Sequence, residues 1–490
     1  MKSNNIKQLF FAIMVMVLAS CSDDFLDKKP TEFVDYDAAT KTTENLMTSL
    51  NGIHRSLYIR YESQGEAGLG ALMQQTDIVG DDIVFPVTNG WFLAVYNWNA
   101  VSNENAQDVR FPYRTYYSII RNANTIINAA DVAIGAVEDR NMVKGQALLY
   151  RAFCHFQLVQ LFGKRYVNGA TNSQLGIPVI LTVGNDNFPR STVEEVYARI
   201  NKDLDEANVL LIGYGKPNNS HLDLKVAQGL KARVALTQGN WAIAADYAKK
   251  ARTGMSLMSM ADYASGFNDY TNKEWMWGSH INEVQTEYFG NFGAYMSRNY
   301  NSTVIRSCPK AINSKLYGMI PATDVRSAVF SKDGKHPGLS LASNFAKFPY
   351  TSQKFLSIST GDSRCDVPYM RAAEMYLIEA EAKARLGQAD AATILFDFEK
   401  TRNPAYTLSA NTGQALVDEI LLQRRIELWG EGFRFFDLKR TNSNLDRTGA
   451  NHDSGIVNGV LVVPSTDKRW QWLIPKVEID ANPLVKQNEL

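Results

Sequence analysis

This chain of 490 residues has few cysteines, no excess of charge of either sign and few long apolar stretches. Its four cysteines are too few for a fold defined by disulfide bonds. Its 51 Lys and Arg residues equal its 51 Asp and Glu residues, so there is no basic excess for nucleic-acid binding. After residue 21, no apolar stretch approaches the roughly 20 residues of a membrane-spanning helix. The composition therefore disfavours nucleic-acid-binding and membrane-spanning proteins.

Sequence motifs of the common catalytic centres are missing as well. The chain has no HExxH, GxSxG, P-loop or CxxC motif, and its six histidines are dispersed without the spacing of a metal site. The sequence therefore indicates no catalytic centre, no cofactor and no metal-ligand set, and whether a metal ion orders a loop stays open.

Three cysteines follow Cys21. Cys154 lies in an apolar helical stretch, which predicts a buried thiol. Cys308 and Cys365 either form a disulfide bond or remain free, and their spacing leaves both alternatives open.

The N-terminal residues carry the features of an export signal and a membrane anchor. A basic start precedes the apolar stretch 9–19, which is too short to span a membrane and is typical of a signal peptide. Small residues then lead into Cys21 in the lipobox-like sequence LASC. We predict that residues 1–20 are removed, that Cys21 is acylated, and that residues 21–34 form an acidic tether at a membrane.

Helical periodicity dominates the rest of the chain. Apolar residues recur every three or four positions over 39–59, 113–130, 139–162 and 192–211. The last stretch begins like a capping box, with Ser191 and Thr192 ahead of Glu194 and Glu195.

Two helical hairpins are predicted further along, at 225–253 and 372–404. Each combines small residues on its packing faces with a glycine at the turn, Gly239 in the first hairpin and Gly387 in the second. This pattern is similar to tetratricopeptide units. We therefore predict a mainly α fold with a tetratricopeptide-like scaffold, which covers about 35–60, 113–265 and 367–440.

Long irregular segments with a few short strands separate the helices. They cover about 61–112 and 266–366, and a further irregular segment follows at 441–490. The first two are rich in aromatic and small polar residues, with a strand-like sequence at 275–277. Long irregular segments on a rigid scaffold are usually functional, so we expect ligand binding at 61–112 and 266–366.

Two C-terminal motifs carry a family resemblance. They are ILLQRRIELWGEGFRFFDLKR at 420–440 and WLIPKVEIDANPLVKQN at 472–488. Together with LASC and the helical hairpins, they resemble the SusD/RagB family of Bacteroidetes surface lipoproteins over essentially the whole mature chain. The chain departs from the family pattern at Gln423, where an acidic residue is common, and at Leu473, where proline is common.

The resemblance implies a single SusD-like domain over 35–490 and a non-catalytic role. It implies a lipoprotein on the cell surface, anchored in the outer membrane, that binds an oligosaccharide and delivers it to a SusC-like TonB-dependent transporter. In such proteins the ligand surface forms where loops of an early and a central region meet. Capture of a peptide or glycoprotein by the same kind of complex stays open, as does a helical scaffold that binds protein partners.

The 420–440 motif is dense in charge, and two functions are open for it. Its charged positions include Arg424, Arg425, Glu427, Glu431, Arg434 and Asp437. Glu427 and Glu431 are one helical turn apart, so they could serve as the carboxylate pair of a glycosidase. Alternatively, the arginines pair with the carboxylates and fix the last helix to its neighbours. We favour this structural network, because paired arginines lower carboxyl pKa values and a general acid needs the opposite.

Aromatic and polar side chains suit a sugar, which offers flat C–H faces and a rim of hydroxyl groups. Trp91 follows a predicted turn and is our first choice for an exposed ring. Each aromatic candidate could instead belong to the core. The candidate ligand residues are Asp81, Asp82, Trp91, Trp98, Asn103, Trp275, Trp277, Tyr288 and Tyr295.

Overall fold

The computed structural model describes residues 39–284 and 289–490, so Cys21, the predicted tether and Tyr288 lie outside the described residues. The helices are α1 (Thr43–Ser56), α2 (Gly68–Ile78), α3 (Leu93–Tyr96), α4 (Gln107–Ala130), α5 (Val137–Phe162), α6 (Val193–Leu210), α7 (Leu224–Gln238), α8 (Trp241–Arg252), α9 (Met260–Ala264), α10 (Phe292–Met296), α11 (Thr303–Ser307), α12 (Ser314–Gly318), α13 (Val325–Ala328), α14 (Ala372–Arg385), α15 (Ala391–Glu399), α16 (Gly413–Glu427), α17 (Arg434–Arg440) and α18 (Lys476–Ala481). The strands are β1 (Ile83–Val84), β2 (Trp275–Ser279), β3 (Ala311–Ile312), β4 (Phe330–Ser331), β5 (Thr351–Ser352), β6 (Val367–Arg371), β7 (Leu445–Asp446) and β8 (Val462–Val463). The mainly α fold predicted from the sequence is confirmed.

The long helices form the scaffold by packing against their neighbours in the chain. Helix α5 packs against α4 and α6, α7 packs against α8, and α14 packs against α8, α15 and α16. The two predicted hairpins are therefore present as α7–α8 and α14–α15. Gly239 and Gly387 stand at their turns with φ values of 70° and 68°, a left-handed conformation that glycine adopts without steric cost.

Local sequence features explain where individual helices begin. The Thr192 hydroxyl accepts a hydrogen bond from the Glu195 amide at 3.2 Å, and the Glu195 carboxylate accepts one from the Thr192 amide at 2.7 Å. The predicted capping box of α6 is thus confirmed. Helix α4 starts six residues earlier than predicted and includes Pro112. Pro112 lies in the second turn, where its missing amide removes one hydrogen bond of the helix.

The prediction that 61–112 is irregular is wrong at helix α2, which lies inside this range. All eleven of its residues are buried, so the helix has no polar face whose periodicity would identify it in the sequence. It begins at Gly68 with a φ of 51°, where a Cβ atom would lie 2.2 Å from the carbonyl oxygen of Leu57. Only glycine fits this close approach.

Short strands connect the two predicted ligand regions. Strands β1, β3, β5 and β4 form an antiparallel sheet in that order, with Ile83 opposite Ile312. Strand β2 pairs antiparallel with β6, which leads directly into α14. The four-stranded sheet therefore joins the early region to the central region.

The structure shows the state of the three described cysteines and the character of the described helices. Cys154 is buried with a free thiol, as predicted. Cys308 and Cys365 are also buried and free, so the disulfide alternative is wrong. Within residues 39–284 and 289–490, no helix combines the length and the apolarity needed to cross a membrane.

Candidate functional site

The two glutamates of the C-terminal motif belong to a buried ion-pair network. The Glu427 carboxylate accepts hydrogen bonds from Arg371 at 2.9 Å and from Arg402 at 3.1 Å. The Glu431 carboxylate accepts from Arg371 at 2.6 Å and from Lys354 at 2.7 Å. None of the five side chains is more than 6% exposed. The network ties β6 to the end of α16.

The electrostatics of this network do not suit a glycosidase. Burial alone would raise the pKa of the Glu427 carboxyl, but the charges of Arg402 and Arg371 hold it well below its ordinary value. Arg371 and Lys354 likewise lower the pKa of Glu431 against the effect of burial. Both groups are ionised near neutral pH, so neither can donate a proton as a general acid.

The remaining charges of the motif hold α17 to its surroundings. The Asp437 carboxylate accepts hydrogen bonds from Arg424 at 2.7 Å and from Arg440 at 2.6 Å. Arg440 also donates to Glu381 of α14 at 2.7 Å. These contacts connect α17 to α16 and to the second hairpin.

Asp81 and Asp82 are structural rather than ligand-facing, which corrects the expectation for both. Asp81 is bonded to Arg434 at 2.5 Å, and Asp82 is bonded to Arg425 at 2.5 Å. Each aspartate is only 4% exposed. The early region thus supplies two buried carboxylates that pair with two partly buried arginines of the C-terminal motif.

Four of the aromatic candidates lie in the core, so the prediction that their rings face a ligand is wrong. Trp98, Trp275, Trp277 and Tyr295 are each at most 2% exposed. The Trp98 indole donates a 2.9 Å hydrogen bond to a backbone carbonyl, and Trp277 packs edge-on against Phe153 with ring centres 5.2 Å apart. All five residues of β2 are buried, because both faces of this strand are covered.

Trp91 is the one tryptophan candidate that keeps a partly exposed ring, and it lies in an aromatic cluster. Its ring centre is 5.3 Å from that of Phe289 and 5.3 Å from that of Tyr295. Phe92 packs edge-on against Tyr295, also at 5.3 Å. Trp91 and Phe289 are half-buried, whereas Phe92 and Tyr295 are buried. We call Trp91 and Phe289, supported by the other two rings, the aromatic platform.

Backbone and polar contacts hold the platform between the early and the central region. The Tyr295 hydroxyl donates to the Gln64 carbonyl at 2.5 Å, and the Asn89 amide donates to the Ser307 hydroxyl at 2.5 Å. A Cβ atom on Gly90 would lie 3.2 Å from the Val304 side chain, so the turn before Trp91 sits closely on α11. These contacts hold together the chain segments that carry Trp91 and Tyr295.

Phe289 is a platform residue that the sequence does not single out, and Asn103 is a predicted ligand residue. Nothing in the sequence neighbourhood of Phe289 distinguishes it from the other aromatics of 266–366. Asn103 is exposed, but its side-chain oxygen accepts a 3.0 Å hydrogen bond from the Asn105 amide in a local turn. Among the residues that the structure describes, no three His, Cys, Asp or Glu side chains come together to hold a metal ion.

Comparison with known proteins places this fold in a family. A family model described as "SusD family" matches residues 331–490, and another described as "Starch-binding associating with outer membrane" matches residues 24–236. The chain is a SusD-like protein. SusD-like protein P2 of Formosa agariphila is 26% identical over 247 residues, which are 49% of this chain and 45% of that protein. The chain thus matches less than half the length of this curated relative.

Solved structures share the fold over nearly the whole chain. A SusD-like carbohydrate binding protein from Bacteroides vulgatus is 25% identical, with a TM-score of 0.82 over 92% of this chain and 99% of that one. A putative sugar binding protein from the same species is 24% identical, with a TM-score of 0.77 over 91% of this chain and 98% of that one. The second likeness supports the fold alone.

Proposed function

We propose that this protein is a lipoprotein of the outer-membrane surface that binds an oligosaccharide and delivers it to a SusC-like TonB-dependent transporter. It breaks no bond itself. Cys21 carries the lipid anchor, so that the helical body stays in water beside the membrane. The family descriptions and the carbohydrate-binding relative support this assignment.

The observation that carries the proposal is the aromatic platform. Trp91 comes from the early region and Phe289 from the central region, and both side chains are half-buried with their ring centres 5.3 Å apart. Aromatic faces stack on the C–H faces of sugars, and the exposed part of each ring is available for this contact. Because the Trp91 ring already packs against Phe289 and Tyr295, binding has fewer side-chain conformations left to restrict.

Substitution of the platform tests the ligand contact directly. We expect Trp91→Ala to weaken oligosaccharide binding at least about tenfold, as loss of one stacked aromatic does at many binding sites. Binding would be measured by calorimetry with the saccharide selected from a glycan-library screen. The melting temperature of the variant should stay close to that of the parent.

Trp241→Ala is the matched control for this substitution. Trp241 is also a half-buried tryptophan, but it begins α8 and stacks on Arg385 at 4.7 Å. Trp241→Ala should leave the affinity for the saccharide unchanged. Equal affinity of the parent and Trp91→Ala would overturn the platform, and a screen that selects peptides over saccharides would favour peptide or glycoprotein capture. Release of reducing sugar from the bound saccharide would overturn the non-catalytic role.

The anchor and the partner have tests of their own. Cys21→Ser should abolish incorporation of labelled palmitate and release the protein from the membrane fraction. Chemical cross-linking in intact outer membranes, followed by mass spectrometry, should join the parent protein to a TonB-dependent barrel. Cross-linked peptides from other proteins alone would contradict the transporter partnership.

A further inference from the structure

A second concave site lies away from the aromatic platform, at the C-terminal end of α5. This crevice has a volume of about 750 Å³, which is in the range of small-molecule sites. It lies between 164–175, the end of α17 and the segments 465–471 and 487–489. None of the residues that line it belongs to the platform. We call it the cationic crevice, after the five basic residues Lys164, Arg165, Arg190, Lys439 and Lys468.

Two carboxylates also line the crevice, which is too few to neutralise its five cations. Asp467 is bonded to Arg469 at 2.8 Å. Glu489 is 86% exposed and approaches Lys468 at 3.6 Å. Five cations thus stand against two carboxylates, one of which already pairs with Arg469, so the crevice keeps an excess of positive charge.

The two buried cations are held by uncharged oxygen atoms. Arg190 donates to the Gly176 carbonyl and to the Asn488 amide oxygen, each at 2.7 Å. Lys439 donates to the Gly163 carbonyl at 2.8 Å and to the Trp470 carbonyl at 2.7 Å. Neither cation forms an ion pair with a carboxylate in the described parts of the chain.

The end of α5 compensates only part of this buried charge. Arg190 also donates to the carbonyl of Phe162, and Lys439 to the carbonyl of Gln160, both in the last turn of that helix. The dipole of a helix places about half a negative charge at this end. Burial lowers the pKa of Lys439 to about 7, so its charge is largest in mildly acidic solution. Both side chains line the crevice, so their remaining positive charge adjoins the space that is open to a ligand.

Two cations nearer the solvent are free to contact a ligand. Lys164 is exposed, Arg165 is half-buried, and neither pairs with a carboxylate within 39–284 or 289–490. Between these cations, the amide and hydroxyl groups of Asn442, Ser443 and Thr466 line the crevice. The cations suit an anionic group, and the neutral groups suit sugar hydroxyls.

We propose that the cationic crevice binds an acidic saccharide, one or two sugar units that carry a sulfate ester or a carboxylate. Lys164 and Arg165 contact the anionic group, while Arg190 and Lys439 supply the potential that attracts it. The site does not depend on the function proposed for the platform, because the two surfaces share no residue.

Calorimetry with a sulfated, uronate-containing disaccharide derived from heparin tests this site on the purified mature chain. The titration is run at pH 6 and low salt, with cellobiose as the uncharged disaccharide. We expect the sulfated disaccharide to bind and cellobiose to bind at least about tenfold more weakly, because hydrogen bonds between charged groups are the stronger ones. The double variant Lys164→Gln/Arg165→Gln should also lose at least about tenfold in affinity for the sulfated disaccharide.

A double variant of equal charge is the matched control. Lys249→Gln/Lys250→Gln removes two exposed cations from the end of α8 and should leave the affinity unchanged. An equal loss in both double variants, or no binding at all, would overturn the proposal. Binding that survives Lys164→Gln/Arg165→Gln but disappears in Trp91→Ala would assign the acidic sugar to the platform, and it would leave the proposed function intact. Attachment of the protein to phosphatidylglycerol vesicles without disaccharide binding would also overturn the proposal that the cationic crevice binds an acidic saccharide.

Discussion

The guanidinium of Arg371 donates a 2.9 Å hydrogen bond to the carboxylate of Glu427, and both side chains are shielded from solvent. Arg371 ends β6 and immediately precedes α14, whereas Glu427 ends α16. This contact therefore ties the second helical hairpin to the C-terminal motif. A buried charge pair of this kind is costly to break, because the remaining partner is left without compensation.

Removal of the Glu427 charge should destabilise the fold. Glu427→Gln leaves Arg371 and Arg402 without a full counter-ion, and we expect the free energy of unfolding to fall by about 3–5 kcal/mol. Urea unfolding monitored by circular dichroism measures the change. Glu138→Gln, at an exposed position of α5, is the control and should alter it by less than about 1 kcal/mol. Equal effects of the two substitutions would contradict a stabilising network.

The pH dependence of stability follows from two sets of carboxyl groups with opposite shifts. Glu427 and Glu431 have a lowered pKa in the folded state, because the paired cations outweigh burial. Their contribution is complete above the ordinary pKa of 4.5 and is lost as the pH falls below it. Burial raises the pKa of Asp77 and Glu399 to about 7, so these two groups lose stabilisation as the pH rises from 4 towards 7.

We therefore expect maximal stability near about pH 5, with a decline in the free energy of unfolding on either side. Urea titrations from pH 3 to pH 8 measure this profile, and Glu427→Gln should flatten its acidic side. A stability that increases steadily from pH 5 to pH 3 would contradict the lowered pKa values.

The positions of two tryptophans predict different responses to truncation. Trp98 is 1% exposed and its indole donates to the Val79 carbonyl at 2.9 Å, so Trp98→Ala should cost about 3–5 kcal/mol of stability. Trp91→Ala should lower the stability clearly less, because Trp91 is only half-buried. Thermal unfolding of both variants checks the difference, and an equal loss in melting temperature would show that Trp91 also belongs to the core.

The thiols should be inert in the folded protein. Cys154, Cys308 and Cys365 are buried and free, and burial raises the pKa of the Cys154 and Cys365 thiols well above the ordinary value. Ellman's reagent should therefore react with none of the three until the chain unfolds in guanidinium, and then with all three. A reading of one thiol after unfolding would indicate a Cys308–Cys365 disulfide instead.

The sequence predicts well those helix starts and turns that depend on interactions within a few residues. The capping box of α6 and the turn glycines Gly239 and Gly387 act within a few residues, and the structure has them where the sequence indicated. Helix α2 escaped prediction because every residue of it is buried and its composition carries no amphipathic pattern. The sequence predicts ligand binding only by region, because the exposure of a single ring depends on what packs over it.

The sequence alone determined the helical scaffold, the family resemblance and the abundance of paired charge in the C-terminal motif, because these reside in spacing and composition. Only the tertiary structure decided that Asp81 and Asp82 serve Arg434 and Arg425, that Trp98, Trp275, Trp277 and Tyr295 are core, and that Phe289 stands beside Trp91. Each of these outcomes is a contact between residues far apart in the chain. Such contacts arise from the joint packing of many elements, and the periodicity of a single segment contains no information about them.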